Sequence, residues 1–268
     1  RVSMRLLICA GGTGGHVYPA LAAVANLRAE FVSSSSVMHA DLTLQWVGTA
    51  RGMEAGLVRE ADIDLKVVQA DGIVGKGLGA RVAGGIHLVW GCLQSLMIVR
   101  RFYPDIVFVT GGYSAIPVAI ASWLLRVPIA VYLPDIEPGL AVRLVSLLSS
   151  RVLVTSSESQ RFFSSQKVRV IGYPVRTEIM EAADANLETA LQHFGLDLGR
   201  PTILVVGGSR GARSINRAII DIVPEIVIEI GAQIIHVTGE LDWHVMQRSR
   251  ARLPEDAQAH YHLHCYLT

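Results

Sequence analysis

The stretch Gly11-Gly12-Thr13-Gly14-Gly15-His16 constrains this chain more than any other. Ahead of it, Arg5-Leu6-Leu7-Ile8-Cys9-Ala10 is an apolar run of strand length. Behind it, Val17, Ala20, Leu21, Val24, Leu27 and Phe31 recur at helical spacing. The order is strand, glycine turn, helix. Pro19 is expected in the first helical turn, where a missing N–H costs nothing. Glycine lets a backbone turn tightly and come close to a bound group. The unpaired N–H groups of a helix start, together with the positive end of its dipole, favour a phosphate. Four glycines in five residues exceed what a plain strand-to-helix connection needs. The turn is therefore read as a ligand site, with Thr13 adding a hydroxyl and His16 an imidazole at its mouth.

Two familiar phosphate motifs do not fit. A dinucleotide fingerprint starting at Gly12 needs glycine or alanine where Val17 stands, and an acid at the end of the second strand. That strand, Leu42 to Val47, runs into Gly48-Thr49. A P-loop also fails, because Gly75-Lys76 is followed by Gly77 and not by Ser or Thr.

Composition narrows the class. Of 268 residues, 51% are hydrophobic and 18% charged, with a mean hydropathy of +0.40, too apolar for disorder. A net charge of +1 argues against nucleic acid as a partner. Cys9, Cys92 and Cys265 lie far apart and form neither a metal-ligand spacing nor a disulfide framework. They are expected to be buried thiols in a reducing compartment. Arg1 to Arg5 lead straight into the first strand, so no signal peptide is expected.

Further along, Ser33 to Ser36 is expected as a loop, Met53 to Ala61 as a short helix and Leu65 to Val68 as a strand. Asp71 to Gly79 is a glycine-rich loop carrying Lys76. Val82 to Val99 has no formal charge and is long enough to span a membrane. Glycines interrupt it, and Ile86, Val89, Trp90, Leu93 and Met97 form a stripe expected to pack on a sheet, with Leu88 and Ile98 off that stripe. An apolar edge beside Lys76, Arg81, Arg100 and Arg101 suits an anionic membrane surface. The alternative is an ordinary solvated helix end.

Ile106 to Thr110 feeds a second glycine turn, Gly111-Gly112-Tyr113-Ser114, and Ile129 to Leu133 ends in Pro134-Asp135-Ile136-Glu137. Strands alternating with helices imply parallel pairing, with ligands beyond the carboxyl ends of the strands. All three strand ends then open onto one crevice. After Gly172-Tyr173-Pro174-Val175-Arg176 and a polar connector, strand, glycine turn and helix recur at Thr202 to Ile222, with Gly207-Gly208-Ser209-Arg210-Gly211 as the turn. That echo argues for two similar α/β domains. The second reads as unfinished at Thr268.

Gly11 to Ala20, Gly75-Lys76-Gly77, Gly111-Gly112-Tyr113, Pro174-Val175-Arg176 and Val206 to Ala212 resemble the MurG glycosyltransferases, in the family's order and across the whole chain. The resemblance implies an α/β GT-B fold of two Rossmann-like parallel-sheet domains facing a cleft, the second incomplete. Residues 1–172 would be the acceptor and membrane-associated domain, 173–200 a connector, and 201–268 part of the UDP-sugar domain. It implies an inverting N-acetylglucosaminyltransferase acting from UDP-N-acetylglucosamine onto undecaprenyl-diphosphoryl-muramyl-pentapeptide in peptidoglycan synthesis. The enzyme would be peripheral to the cytoplasmic face of the cell membrane. Donor contacts fall on Thr13, Gly14, Gly15, Asp135, Arg176 and Ser209. Acceptor contacts fall on Gly14, Gly15, Gly111, Gly112, Tyr113 and Lys76. Where the family reads His-Glu-Gln-Asn, this chain has Tyr132-Leu133-Pro134-Asp135, so Asp135 stands in place of an amide. His16 is the candidate base, kept neutral by the positive helix end, and Asp135 is its rival. No metal and no cofactor is expected, because helix-end N–H groups can stabilise the leaving diphosphate. Two other readings stand beside this one. One is an acceptor-lipid-binding half of a split or truncated glycosyltransferase, inactive alone. The other is a nucleotide-sugar epimerase with the same turn, against which the two-domain echo argues.

Overall fold

Among the described residues ten short runs become strands, and every pair among them is parallel. The computed structural model describes residues 2–35, 40–49, 54–70, 78–182, 186–208 and 211–267. The chain divides into two compact units, 1–180 and 181–268.

The first unit holds strands β1 (Val2–Cys9), β2 (Ala40–Gly48), β3 (Asp64–Val67), β4 (Ile106–Val109), β5 (Ile129–Leu133), β6 (Arg151–Val154) and β7 (Val168–Val170). They form one sheet in the order β3-β2-β1-β4-β5-β6-β7. Its helices are α1 (Gly14–Ser35), α2 (Glu54–Glu60), α3 (Leu78–Phe102), α4 (Ala115–Leu124) and α5 (Leu140–Leu148); α6 (Thr177–Ala182) straddles the division. Side chains alternate across a strand, and β1 shows it. Leu7 and Cys9 join the core under α3, α4 and α5, whereas Leu6 and Ile8 join the core under α1 and α2. Helices therefore cover both faces, which is why the inner strands are apolar throughout. Each fully buried Leu, Ile or Val here contributes about 1.5–3 kcal/mol.

Three expectations change. Helix α1 continues to Ser35, so 33–35 are helical and not a loop. It also starts inside the glycine turn, at Gly14, which puts Pro19 in the second turn, where it removes an interior hydrogen bond. The largest correction concerns α3. Four of the five residues of the stripe expected to face the sheet point outward, the Ile86 side chain lying outside what is described: Val89, Trp90, Leu93 and Met97 are 63%, 50%, 48% and 62% exposed. Gly91, Ser95, Val99 and Phe102 face inward, and Ile98, expected off the packed stripe, lies against the core with Leu96. Gly91 is the reason. A Cβ there would collide with the Gln69 carbonyl, and Gln69 N–H donates to the Gln94 side chain at 2.8 Å. The helix packs against the segment after β3 where it carries no side chain, and Val89, Trp90, Leu93 and Met97 are turned away. Among the described residues no helix is long and apolar enough to cross a membrane.

The second unit has α7 (Leu187–Phe194), β8 (Thr202–Val206), α8 (Arg213–Pro224), β9 (Gln233–Val237), α9 (Trp243–Arg250), α10 (Glu255–Ala259) and β10 (Tyr261–His264). Its sheet runs β10-β9-β8. β9 is central and wholly buried, while β8 is an edge strand with Leu204 60% and Val206 50% exposed.

Candidate active site

Parallel pairing sets the carboxyl ends of β1, β4 and β5 side by side, with Cys9 opposite Val109 and Val109 opposite Val131. The first glycine turn, the second glycine turn and Pro134 to Glu137 therefore leave the same edge of the first sheet. Gly12, Gly111 and Gly112 hold φ of +89°, +141° and +98°, which bulky residues avoid. The two turns touch. A Cβ on Gly111 would lie 2.5 Å from His16 Cδ2, and one on Gly112 would lie 2.9 Å from the Gly11 carbonyl oxygen. His16 is held from several sides. The Thr13 hydroxyl lies 3.2 Å from its Nδ1, and Thr110 Oγ1 donates to its backbone carbonyl at 2.7 Å.

Burial holds the His16 imidazole below its ordinary value. The Asp135 carboxylate and a hydrogen bond to the Gly11 carbonyl pull the other way. Burial is the largest of these influences on the ring. Burial raises the Tyr132 and Tyr173 phenols, and the Asp135 charge adds to it at both. Tyr132 is fully buried. It donates to the Gly172 carbonyl at 3.2 Å and lies 3.0 Å from the Thr155 hydroxyl. This fixes the start of the segment that carries Arg176, whose guanidinium lies 5.4 Å from the Tyr18 ring centre on α1. Tyr113 stands exposed on the second turn. Cys9 lies beneath, 3.4 Å from the Ser114 hydroxyl, its thiol pushed up to about 12 by burial and therefore inert.

The structure thus gathers Thr13, Gly14, Gly15, His16, Gly111, Gly112, Tyr113 and Asp135 at one sheet edge, with Arg176 beside α1. Lys76 and Ser209 lie outside the described residues. The one Asp-x-Asp spacing, Asp62-Ile63-Asp64, runs into the start of β3 at the opposite end of the strands. There Asp64 accepts from Gln45 at 2.7 Å and pairs with Lys66 at 3.1 Å.

Sequence reasoning missed Glu54. No acid ends β2, yet Glu54 arrives from α2 and puts a fully buried carboxylate against the first glycine turn. The signal was Gly48, where a Cβ would lie 2.9 Å from Glu54 Cγ.

In the second unit, a Cβ on Gly211 would collide with the Thr238 carbonyl, so the third glycine turn sits directly on the end of β9. Asn216 on α8 anchors it, donating to the Thr238 carbonyl at 2.9 Å and to Asp242 at 3.1 Å. His236 joins Asn216 Oδ1 at 2.9 Å to the Tyr261 hydroxyl at 2.7 Å. Arg213 meets Asp242 at 3.0 Å.

Comparison with known proteins agrees with this layout. Residues 6–154 match the glycosyltransferase family 28 N-terminal domain, and residues 202–265 match the family's C-terminal domain. Similar proteins include three UDP-N-acetylglucosamine–N-acetylmuramyl-(pentapeptide) pyrophosphoryl-undecaprenol N-acetylglucosamine transferases. That of Thermodesulfovibrio yellowstonii is 34% identical over 90% of this chain and 63% of its own length. That of Roseiflexus sp. is 37% identical over 98% and 66%. That of Symbiobacterium thermophilum is 38% identical over 88% and 60%. The chain therefore spans about three fifths to two thirds of the length of these relatives. In fold it is similar to Acinetobacter baumannii MurG, with a TM-score of 0.65 at 21% identity over 98% of this chain and 67% of that one. It is similar too to the UDP-GlcNAc 2-epimerase of Neisseria meningitidis, with a TM-score of 0.63 at 15% identity over 99% and 73%. Transferase and epimerase share the fold, so fold does not separate them. With both domain models matched in order, the chain belongs to glycosyltransferase family 28 and is similar in sequence to the MurG transferases.

Proposed function

We propose that this protein transfers N-acetylglucosamine from UDP-N-acetylglucosamine to an undecaprenyl-diphosphoryl-muramyl-pentapeptide, with inversion. The observation that carries the reading is the packing of the His16 ring against Gly111 of the second glycine turn while Thr13 of the first lies 3.2 Å from its Nδ1, in a chain whose relatives are transferases of that kind. The acceptor hydroxyl oxygen attacks the anomeric carbon, the new glycosidic bond forms, and the bond to the diphosphate breaks. UDP carries away the electron pair, and the hydroxyl proton passes to His16. Thr13, Gly14, Gly15, Asp135, Arg176 and Ser209 hold the donor. Gly14, Gly15, Gly111, Gly112, Tyr113 and Lys76 hold the acceptor. Residues 1–172 serve the acceptor, 173–200 connect and 201–268 serve the nucleotide. The outward stripe of α3, ending at Arg100 and Arg101, rests on the anionic inner face of the cytoplasmic membrane.

The test is transfer from labelled UDP-N-acetylglucosamine to an acceptor lipid. His16→Ala should lower kcat about 10²–10⁴-fold with donor affinity kept. The acid limb of wild-type kcat/KM should fall below the ordinary histidine value of 6.5. Because the Asp135 charge raises the His16 pKa, Asp135→Asn should move that limb to lower pH. Turnover surviving His16→Ala within a few-fold removes His16 as the base. A second reading is an acceptor-lipid-binding half of a split or truncated glycosyltransferase, inactive alone. Transfer by the purified chain alone excludes it.

A further inference from the structure

We propose that Glu54 is a positioning residue that sets the first glycine turn, and through it His16, for the acceptor; this rests on the transferase reading above. Glu54 opens α2 and is fully buried. Its Oε1 accepts from the Thr49 N–H at 2.9 Å and the Thr49 hydroxyl at 3.0 Å, and its Oε2 accepts from the Gly12 N–H at 3.3 Å. No side chain fits between the carboxylate and the turn, because a Cβ on Gly11 would lie 2.7 Å from Oε1. On the other side of the same turn, a Cβ on Gly112 would lie 2.9 Å from the Gly11 carbonyl oxygen. The order is carboxylate, first turn, second turn, in direct contact. Gly111 of the second turn then abuts the His16 ring. Close-packed backbone transmits a displacement that flexible side chains would absorb.

The chemistry has a direction. Glu54 draws the Gly12 N–H inward, away from any ligand. The N–H groups of Thr13, just before α1, and of Gly14 and Gly15, at its start, have no carbonyl partner within the helix and are left for a ligand. A buried carboxylate beneath the turn also repels an anion from that side, so the acceptor diphosphate is steered to the helix end. Glu54 touches no substrate; it decides which N–H groups of the turn a substrate meets.

Glu54→Gln tests this in the full chain, because its amide sets an N–H donor against the Gly12 N–H. A turn displaced by a fraction of an ångström should raise the acceptor KM about tenfold. The donor KM should rise less, because Asp135, Arg176 and Ser209 also hold the donor, and the melting temperature should stay within a few degrees. The His16 imidazole signals in a ¹H–¹⁵N spectrum should move, while Glu60→Gln, an exposed change on the same helix, leaves them in place. If Glu54→Gln does not fold, Thr49→Val removes one donor and should give a smaller displacement in the same direction, with Thr49→Ser restoring wild-type behaviour. An unchanged acceptor KM with unmoved His16 signals overturns the proposal. So does a parallel rise in both KM values with a collapse in melting temperature, which marks a purely structural role. If the wild-type protein transfers nothing, the transferase reading fails and the His16 signals alone decide whether Glu54 positions the turn.

Discussion

Acidification should loosen the second unit through His236. The ring is fully buried on β9. Asn216 spends its amide N–H groups on the Thr238 carbonyl and Asp242, so the oxygen it turns to His236 is an acceptor. His236 Nε2 therefore carries the proton, and Nδ1 accepts from the Tyr261 hydroxyl at 2.7 Å. A second proton must go onto Nδ1, against that hydroxyl and with no water to solvate the charge. Burial accordingly lowers the His236 pKa from 6.5 to about 4. The unfolded chain takes up its proton near 6.5 and the folded chain near 4. Between these values the unfolded state holds more protons, so stability falls as pH falls through that window. At ~1.4 kcal/mol per pH unit the interval amounts to about 3 kcal/mol, lost in full only below about 4. Hydrogen exchange of the β9 peptide, corrected for intrinsic rates, reads the opening free energy of this unit directly. Measured from pH 7 to 4, the wild type should lose about 3 kcal/mol relative to His236→Gln, which keeps a donor and an acceptor but cannot titrate. Carboxylates titrating in both proteins cancel in the difference. Parallel curves for the two proteins would refute the reasoning.

Three further outcomes are expected. Gly111→Ala adds a Cβ 2.5 Å from His16 Cδ2 at φ +141°, so transfer should fall by about 10²-fold and the melting temperature should drop; transfer within twofold of wild type in a single-turnover assay would contradict this contact. Ser209→Ala should weaken UDP binding by about 1–2 kcal/mol in calorimetry, whereas unchanged affinity with lower stability marks a helix cap. The protein should sediment with anionic vesicles in a salt-sensitive way, at roughly 1 kcal/mol per basic residue, and Trp90→Ser with Leu93→Ser should reduce it. Equal, salt-insensitive partition onto neutral and anionic vesicles would remove the electrostatic part.

Much of the fold was legible because strands buried on both faces must be apolar throughout, and Leu6 to Ala10, Ile106 to Val109 and Ile129 to Leu133 are. The glycine turns were legible for a related reason. Only glycine tolerates the positive φ of Gly12, Gly111 and Gly112, so the backbone geometry is written in the residue type. His16 could be placed at the mouth of the first turn because it follows that turn directly in the chain.

The orientation of α3 was not legible. A helix apolar nearly all round carries no polar face to mark its solvent side, and the face was chosen by Gly91, where backbone could approach the Gln69 carbonyl. Glu54 was hidden for the opposite reason. A carboxylate in a sequence reads as exposed, and its burial depends on the Gly12 and Thr49 donors that only the folded β1, β2 and α2 bring together. The sequence alone thus determined which segments turn, alternate and bury, since those properties belong to single residues and their spacing. The tertiary structure alone decided which faces meet and which charges find partners, since those depend on contacts between residues far apart in the chain.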